Sequence, residues 1–172
     1  MITVLPHYSY TFLMREQSQE IPVWVYHFRS TRSRQWYIVR IEEYPNKFFG
    51  IKFYLKADSL NPHKYNRLTG LNEARPVINT CIALMMEFAR QHQDSSFGFI
   101  GANLIGEGER ETKRFRVYKK LLTTYFSEEH YYHYQILEKS AYALINREII
   151  AQNPNIVTQI STYFSDHYTN FD

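Results

Sequence analysis

The stretch Arg67-Leu68-Thr69-Gly70-Leu71-Asn72 separates two parts of the chain that have different periodicities. Before this stretch, apolar residues alternate as they do in strands; after it, they recur at the spacing of a helix. The stretch therefore predicts a tight turn that brings backbone N–H groups to the start of a helix. A helix N-terminus carries unpaired donors and a partial positive charge, and a neighbouring glycine lets a diphosphate approach the main chain. We expect this turn to bind phosphate.

Four alternating runs precede the turn and predict an antiparallel meander. Short polar breaks of near-hairpin length separate the runs, and apolar side chains lie two residues apart within each run. These alternating residues are Tyr8, Tyr10, Phe12 and Met14; Trp24, Tyr26 and Phe28; Tyr37, Val39 and Ile41; and Phe49, Ile51, Phe53 and Leu55. The fourth run is the most apolar, so we expect it to lie innermost in the sheet.

The residues after the turn predict further helices and strands. We expect a helix over about 72–91 with Asn72 as its N-cap, a strand over 95–102, a helix over 112–126, a hairpin over 131–146 and a closing helix over 155–166. The predicted fold class is α+β, a mostly antiparallel twisted sheet flanked by helices in the order ββββ-α-β-α-ββ-α.

Length and composition set limits on the class of protein. The 172 residues suit one domain, which we divide into a meander over 1–57, a core over 58–146 and a closing helix over 147–172. A net charge of +3 is too small to demand nucleic acid. We see no charged and then apolar leader, and no apolar run approaches the roughly 18 residues of a membrane span. We therefore expect a cytoplasmic protein that does not contact membranes.

Two groups of reactive side chains do not predict a site. Cys81 lies in an apolar helical stretch, where it is expected to be a small core residue. Glu129, His130 and His133 invite a metal site, but residues three apart on a strand face opposite sides of the sheet. The two imidazoles therefore cannot easily share one ion, and we predict no metal.

The order of elements and two partial motifs resemble the acyl-CoA N-acyltransferases of the GNAT superfamily, over about Phe48 to Asn146. In that family, a loop caps the central helix and holds the pyrophosphate of CoA. The loop has the pattern Arg or Gln, two residues, Gly, one residue, and Gly or Ala. Arg67 and Gly70 match this loop. A further strand splays from the last strand of the meander, and the pantetheine arm lies in the resulting notch; 95–102 is similar to that strand.

The resemblance implies transfer of an acetyl or other acyl group from acyl-CoA to an unidentified amine, with no metal. It implies that a tyrosine in a pattern ending Leu-Tyr-Glu-Lys protonates the departing thiolate, and Tyr118 in Arg116-Val117-Tyr118-Lys119-Lys120 is similar. The helical stripe that contains Tyr118 equally indicates a core tyrosine. The implied cofactor-binding residues are Arg67, Leu68, Thr69, Gly70, Leu71, Asn72, Gly101 and Asn103.

Other interpretations remain open. A catalytically inactive module of the same shape would contact nucleic acid or a protein partner through the basic helix 112–126, whose five cations are Lys113, Arg114, Arg116, Lys119 and Lys120. Glu42, Glu43 or Asp58 would supply a general base, and their spacing selects none of them. Paired or swapped edge strands would form a homodimer, although no residue indicates one.

Overall fold

A computed structural model of the protein describes residues 5–18, 20–66, 72–100, 108 and 110–167, the last four as backbone only. In these ranges the strands are β1 (Tyr10–Ser18), β2 (Ile21–Arg29), β3 (Trp36–Tyr44), β4 (Phe48–Leu55), β5 (Ser96–Ile100), β6 (Tyr131–Ile136) and β7 (Ala141–Asn146). The helices are α1 (Ala74–Gln91), α2 (Lys113–Tyr125), α3 (Arg147–Gln152) and α4 (Ile156–His167). The α+β class and the mostly antiparallel sheet are confirmed.

Strands β1 to β4 form the predicted antiparallel meander. One detail of the predicted alternation is wrong, because the pairing of β1 with β2 shifts between Phe12 and Met14. Phe12 lies opposite Tyr26, whereas Met14 lies opposite Val25, and successive residues of a strand face opposite sides. This bulge therefore moves Met14 to the other face of the sheet.

The strand order across the sheet is β1-β2-β3-β4-β5-β7-β6. The fourth run of the meander is therefore the central strand, as its apolar composition predicts. Strand β5 pairs with β4 in parallel, and β7 inserts between β5 and β6 with antiparallel pairing on both sides. Helix α1 is the crossover that a parallel connection from β4 to β5 requires.

Helices cover both faces of the sheet. Helices α1 and α2 pack on one face, which we call the helix face, and form the main core with the alternating side chains of β2 to β5 and β7. Helix α4 packs on the opposite face, where Ile156 and Ile160 contact a second cluster on β3, β4 and β7. Helix α3, which the sequence does not predict, begins where the side chain of Asn146 accepts a hydrogen bond from the backbone of Glu148.

Candidate functional site

The described pairing of the parallel strands β4 and β5 ends before the carboxyl end of β4. They pair only from Phe48 opposite Ser96 to Ile51 opposite Phe99. Beyond this point β4 remains paired with β3 as far as Leu55, and no described residue pairs with its other edge over 52–55. We call the edge of β4 over 52–55 the notch; the ring of Tyr65 packs against this half of the strand, 5.4 Å from that of Tyr54. Crevices outside the carboxyl ends of parallel strands are common ligand sites, and an unpaired strand edge offers backbone donors and acceptors.

Helix α1 starts beside the notch, and its N-cap lies one residue later than predicted. Asn72 has a φ of 52°, so its backbone is left-handed and does not have the extended conformation of an N-cap. Glu73 is the N-cap instead, and the carbonyl of Asn72 accepts a hydrogen bond from Arg32 at 3.1 Å. The other predicted cofactor-binding residues lie outside the described part of the chain: Arg67, Leu68, Thr69, Gly70, Leu71, Gly101 and Asn103.

The carboxylate of Glu73 is buried beneath the turn between β2 and β3. It accepts hydrogen bonds from the hydroxyls of Ser30 at 2.5 Å, Ser33 at 2.8 Å and Tyr37 at 2.7 Å. Burial acts to raise the pKa of Glu73, but these three donors and the charge of Arg32 hold it below its ordinary value. Glu73 is therefore ionised, and it ties the start of α1 to the meander.

Arg114 contributes a permanent positive charge beside the notch. The central carbon of its guanidinium lies 4.9 Å from the centre of the Phe53 ring, in the half of β4 beyond its described pairing with β5. The same guanidinium donates a hydrogen bond to the backbone carbonyl of Tyr65, in the connection from β4 to α1. Arg114 thus joins α2 to the segment that leads into the predicted phosphate-binding turn.

Tyr118 lies close to the last described pair of β4 and β5. Its ring centre is 5.1 Å from that of Phe99, the last residue of β5 that pairs with β4. Only 1% of Tyr118 is exposed, and burial, together with the nearby Cys81, raises the pKa of its hydroxyl. The hydroxyl therefore keeps its proton at neutral pH. A thiolate would have to reach the level of Phe99 to receive that proton, so the role of Tyr118 as a donor remains a prediction.

A buried carboxylate lies near the notch on the opposite face of the sheet. Glu42 accepts a hydrogen bond from Tyr44 at 2.6 Å and pairs with the ammonium of Lys52 at 3.0 Å. Lys52 is the first residue of β4 beyond the segment paired with β5. Glu43, by contrast, lies opposite Phe49 at the far end of that segment, and Asp58 lies beyond the end of β4. Of the three candidate bases, Glu42 is therefore the one that lies next to the notch, where the ion pair with Lys52 holds it.

A groove lined by cations adjoins the N-terminus of α1. Its volume is about 380 Å³, its apolar floor is formed by Val117 and Leu121, and none of the described residues that line it is acidic. We call it the basic groove, and its lining cations are Arg75 of α1 and Lys113, Arg116 and Lys120 of α2. Lys113 and Lys120 are seven residues apart, which corresponds to about 10.5 Å along the helix. The groove therefore has room for more than one phosphate group.

The other reactive side chains are accounted for by packing. Cys81 is fully buried, as predicted, and burial raises the pKa of its thiol to about 12. His133 bonds through its two ring nitrogens to the Tyr142 hydroxyl at 2.5 Å and to the Phe126 carbonyl at 3.1 Å. Burial lowers the pKa of His133. Within the described ranges, no three His, Cys, Asp or Glu side chains are grouped to hold a metal ion.

Sequence reasoning missed the residues that come together only through packing. Arg75 joins the cations of α2 because the first turn of α1 packs beside that helix. Arg114 separates from its neighbours in the basic run, because the helical period turns it towards Phe53 and the notch. The periodicity of α2 already indicated that Arg114 faces a different side of the helix from its basic neighbours. The position of the notch was needed to interpret that difference.

Comparison of the chain with models of protein families, with curated proteins and with solved structures finds no match. None of the described helices is both long enough and apolar enough to cross a membrane.

Proposed function

We propose that this protein is a GNAT-like N-acyltransferase, which moves an acetyl or other acyl group from acyl-CoA to an amine. The observation that carries the proposal is the edge of β4 over 52–55, beyond its last described pair with β5, Ile51 and Phe99, where no described residue pairs with it. The pantetheine arm of CoA is extended and contains amide groups, so it is able to pair with this edge of β4 as a strand would. The thioester would then lie at the point where the strands meet.

The charges around the notch fit the phosphate groups of CoA. The N-terminus of α1 provides backbone donors and a partial positive charge, which the ionised Glu73 at the N-cap offsets in part, and the basic groove lies directly beside it. Arg114 is positioned between the groove and the notch by its bond to Tyr65. A ligand with phosphates at one end and an apolar, amide-containing arm at the other end matches this distribution of charge.

The chemistry would consist mainly of positioning. The amine nitrogen attacks the thioester carbonyl, the carbon–sulfur bond breaks, and the thiolate leaves. Glu42 is the carboxylate beside the notch that would accept the proton lost by the amine, and Tyr118 would donate a proton to the thiolate. The products are the amide and free CoA.

Thermal or chemical unfolding with acetyl-CoA tests the binding step. Acetyl-CoA at about a hundred times its dissociation constant should raise the free energy of unfolding by roughly 2.7 kcal/mol. Arg116→Glu, which reverses a charge in the basic groove, should weaken binding about tenfold. Lys119→Glu is the matched control, because Lys119 is exposed on the same helix but does not line the groove. No stabilisation at millimolar acetyl-CoA would reject the proposal.

Turnover tests the roles in chemistry. With a panel of amines, release of CoA should be slower in Tyr118→Phe while the affinity for acetyl-CoA stays nearly the same. Glu42→Gln should slow the reaction most at low pH, where the amine is already largely protonated and needs a base. If CoA binds but Tyr118→Phe turns over at the original rate, Tyr118 is a core residue alone.

The basic groove also favours a second candidate, a catalytically inactive module that binds nucleic acid. Four cations in one groove would contact successive backbone phosphates. Such binding should weaken steeply between low and physiological salt, whereas CoA held in the notch should be less sensitive. Salt-sensitive binding of an oligonucleotide without binding of acetyl-CoA would favour this candidate over the acyltransferase.

A further inference from the structure

A second groove, lined by aromatic rings, lies at the outer edge of the helix face. Its volume is about 390 Å³. Strands β1 and β2 form one wall and the C-terminal half of α1 forms the other. We call it the aromatic groove, and its main lining residues are Tyr10, Phe12, Trp24, Tyr26, Glu87 and Phe88.

The rings of the aromatic groove meet at steep angles. Phe12 and Tyr26 lie opposite each other in the sheet, with ring centres 5.3 Å apart and planes at 65°. Tyr10 and Tyr26 have ring centres 6.3 Å apart and planes at 80°. Rings arranged in this way form the sides of a cage, and their faces carry partial negative charge. Phe12 is 51% exposed, so the cage is open to solvent.

A carboxylate completes the negative lining of the groove. Glu87 projects from α1 and accepts a hydrogen bond from the hydroxyl of Tyr10. Its charge contributes to the raised pKa of Tyr26, after burial, so both lie in one electrostatic environment. Among the described residues, Glu87 forms no ion pair, although the exposed Arg90 lies one turn further along the helix. The groove therefore presents a partly buried anion between aromatic faces.

A cation of the protein already lies over one ring of the aromatic groove. The guanidinium of Arg15 lies over the ring of Trp24, 4.8 Å from its centre. Arg15 is opposite Trp24 in the pairing of β1 with β2, and the bulge after Phe12 brings it to the helix face. The other end is formed by Tyr10, Phe12, Tyr26 and Glu87, and no Lys or Arg of the described residues lines it. The charge of Arg90 acts on Tyr10 from outside the lining, where it partly opposes the rise in the pKa of Tyr10 that burial and Glu87 cause.

We propose that the aromatic groove binds a methylated ammonium group, at the end formed by Tyr10, Phe12, Tyr26 and Glu87. A methylated ammonium spreads its charge over apolar methyl groups, so it loses less hydration than a bare ammonium on entering a ring of aromatic faces. Glu87 supplies the opposite charge. A neutral apolar ligand would leave Glu87 desolvated and without an opposite charge, which disfavours it.

This proposal is independent of acyl transfer. Glu87 follows the start of α1 by 13 residues, which places it about 20 Å along the helix from the notch. Loss of acetyl-CoA binding would therefore leave the aromatic groove unchanged, and the reverse also holds. The two sites are tested with separate ligands.

The test is a titration of the full chain with choline, followed by tryptophan fluorescence. The chain contains two tryptophans, so Trp36→Phe leaves Trp24, in the groove, as the reporter. The control ligand is 3,3-dimethylbutan-1-ol, which has the shape of choline without its charge. Choline should give a saturable change, and the neutral isostere should bind about tenfold more weakly. Equal binding of the two ligands, or no saturable change with choline, would overturn the proposal.

Two variants locate the binding. Glu87→Gln removes the charge but still accepts a hydrogen bond from Tyr10, and Phe12→Ala removes an exposed ring; each should weaken choline binding about fivefold to tenfold. Leu13→Ala is the control, since Leu13 is an exposed neighbour that does not line the groove. A peptide with a trimethyllysine side chain, titrated in parallel, distinguishes a protein-borne group from a small molecule. Unchanged affinity in both Glu87→Gln and Phe12→Ala would reject the assigned site.

Discussion

The two buried carboxylates near the candidate site are stabilised in different ways. Glu42 is paired with a cation, Lys52, whereas Glu73 is held by three neutral hydroxyls. A buried charge is costly unless its partners replace the lost water, and both arrangements do so. Burial acts to raise the pKa of Glu73, but the hydroxyls and the charge of Arg32 favour its ionised form and lower that pKa, so Glu73 makes the stability of the protein depend on pH.

Replacing Glu73 with Gln should destabilise the protein by about 2 kcal/mol at pH 7, because hydrogen bonds to a charged group are stronger than neutral ones. The folded-state pKa of Glu73 is lowered, so its contribution is fully present above the ordinary glutamate pKa of about 4.3 and is lost as the pH falls through the folded value. Urea unfolding between pH 7 and pH 3 measures both effects.

The stability measured below pH 5 tests whether Glu73 is ionised in the folded protein. Stability of the Glu73→Gln variant should fall less steeply below pH 5 than that of the original chain, since one depressed pKa is removed. Glu129→Gln provides the control, because Glu129 is exposed. If the stability of the original chain and that of the Glu73→Gln variant fall equally below pH 5, the hydrogen-bonded, ionised state of Glu73 is contradicted.

At the scale of elements, the start of α2 depends on a contact from a distant hairpin. The side chain of Thr112 accepts a hydrogen bond from the backbone N–H of Phe115 at 3.2 Å, and the backbone N–H of Thr112 donates to the hydroxyl of Ser140 at 2.8 Å. Ser140 lies in the turn between β6 and β7 and has a φ of 51°. This double cap fixes the helix that carries the basic groove and Tyr118.

Removal of the cap in Thr112→Ala should cost about 1 kcal/mol of stability, because a helix-start donor loses its acceptor in a buried position. Thr112→Ser keeps the hydroxyl and should retain most of that stability. Chemical unfolding of the two variants makes the comparison. Equal losses in both would show that the methyl group of Thr112, and not its hydrogen bond, matters.

Sequence patterns predicted the elements well where the signal is local. The alternation in β2 to β4 and the stripe of Phe115, Tyr118 and Leu122 gave the correct type and approximate bounds of each element. The errors lie at ends and irregularities: the bulge after Phe12, the N-cap at Glu73 and the short helix α3. These features depend on contacts with other elements, which a local period does not contain.

For the whole molecule, the sheet separates two apolar clusters that share the central strands. The main cluster lies under α1 and α2, and the second lies under α4. Phe48 and Phe49 are successive residues of β4, and they enter different clusters because they face opposite sides. We therefore expect the described elements to unfold as one cooperative unit.

Ile156→Ala tests this cooperativity. Ile156 is fully buried in the second cluster, so the substitution should cost about 3 kcal/mol. Neither tryptophan belongs to the second cluster: Trp24 packs against the main core, and Trp36 lies at the opposite end of β3 from Tyr44. Unfolding followed by tryptophan fluorescence and by far-ultraviolet circular dichroism should shift together. Thr158→Ala, at an exposed position of the same helix, should change neither, and a shift in circular dichroism alone would indicate that α4 unfolds separately.

The sequence by itself determined the type of nearly every element, because the period of apolar residues reflects which side of a strand or helix is buried. It determined the central position of β4 through the apolar composition of that strand. Only the tertiary structure decided that β4 and β5 run parallel, that β7 inserts between β5 and β6, and which side chains line the three sites. Those arrangements join residues tens of positions apart, and the physical reason is that both faces of the sheet must be covered at once.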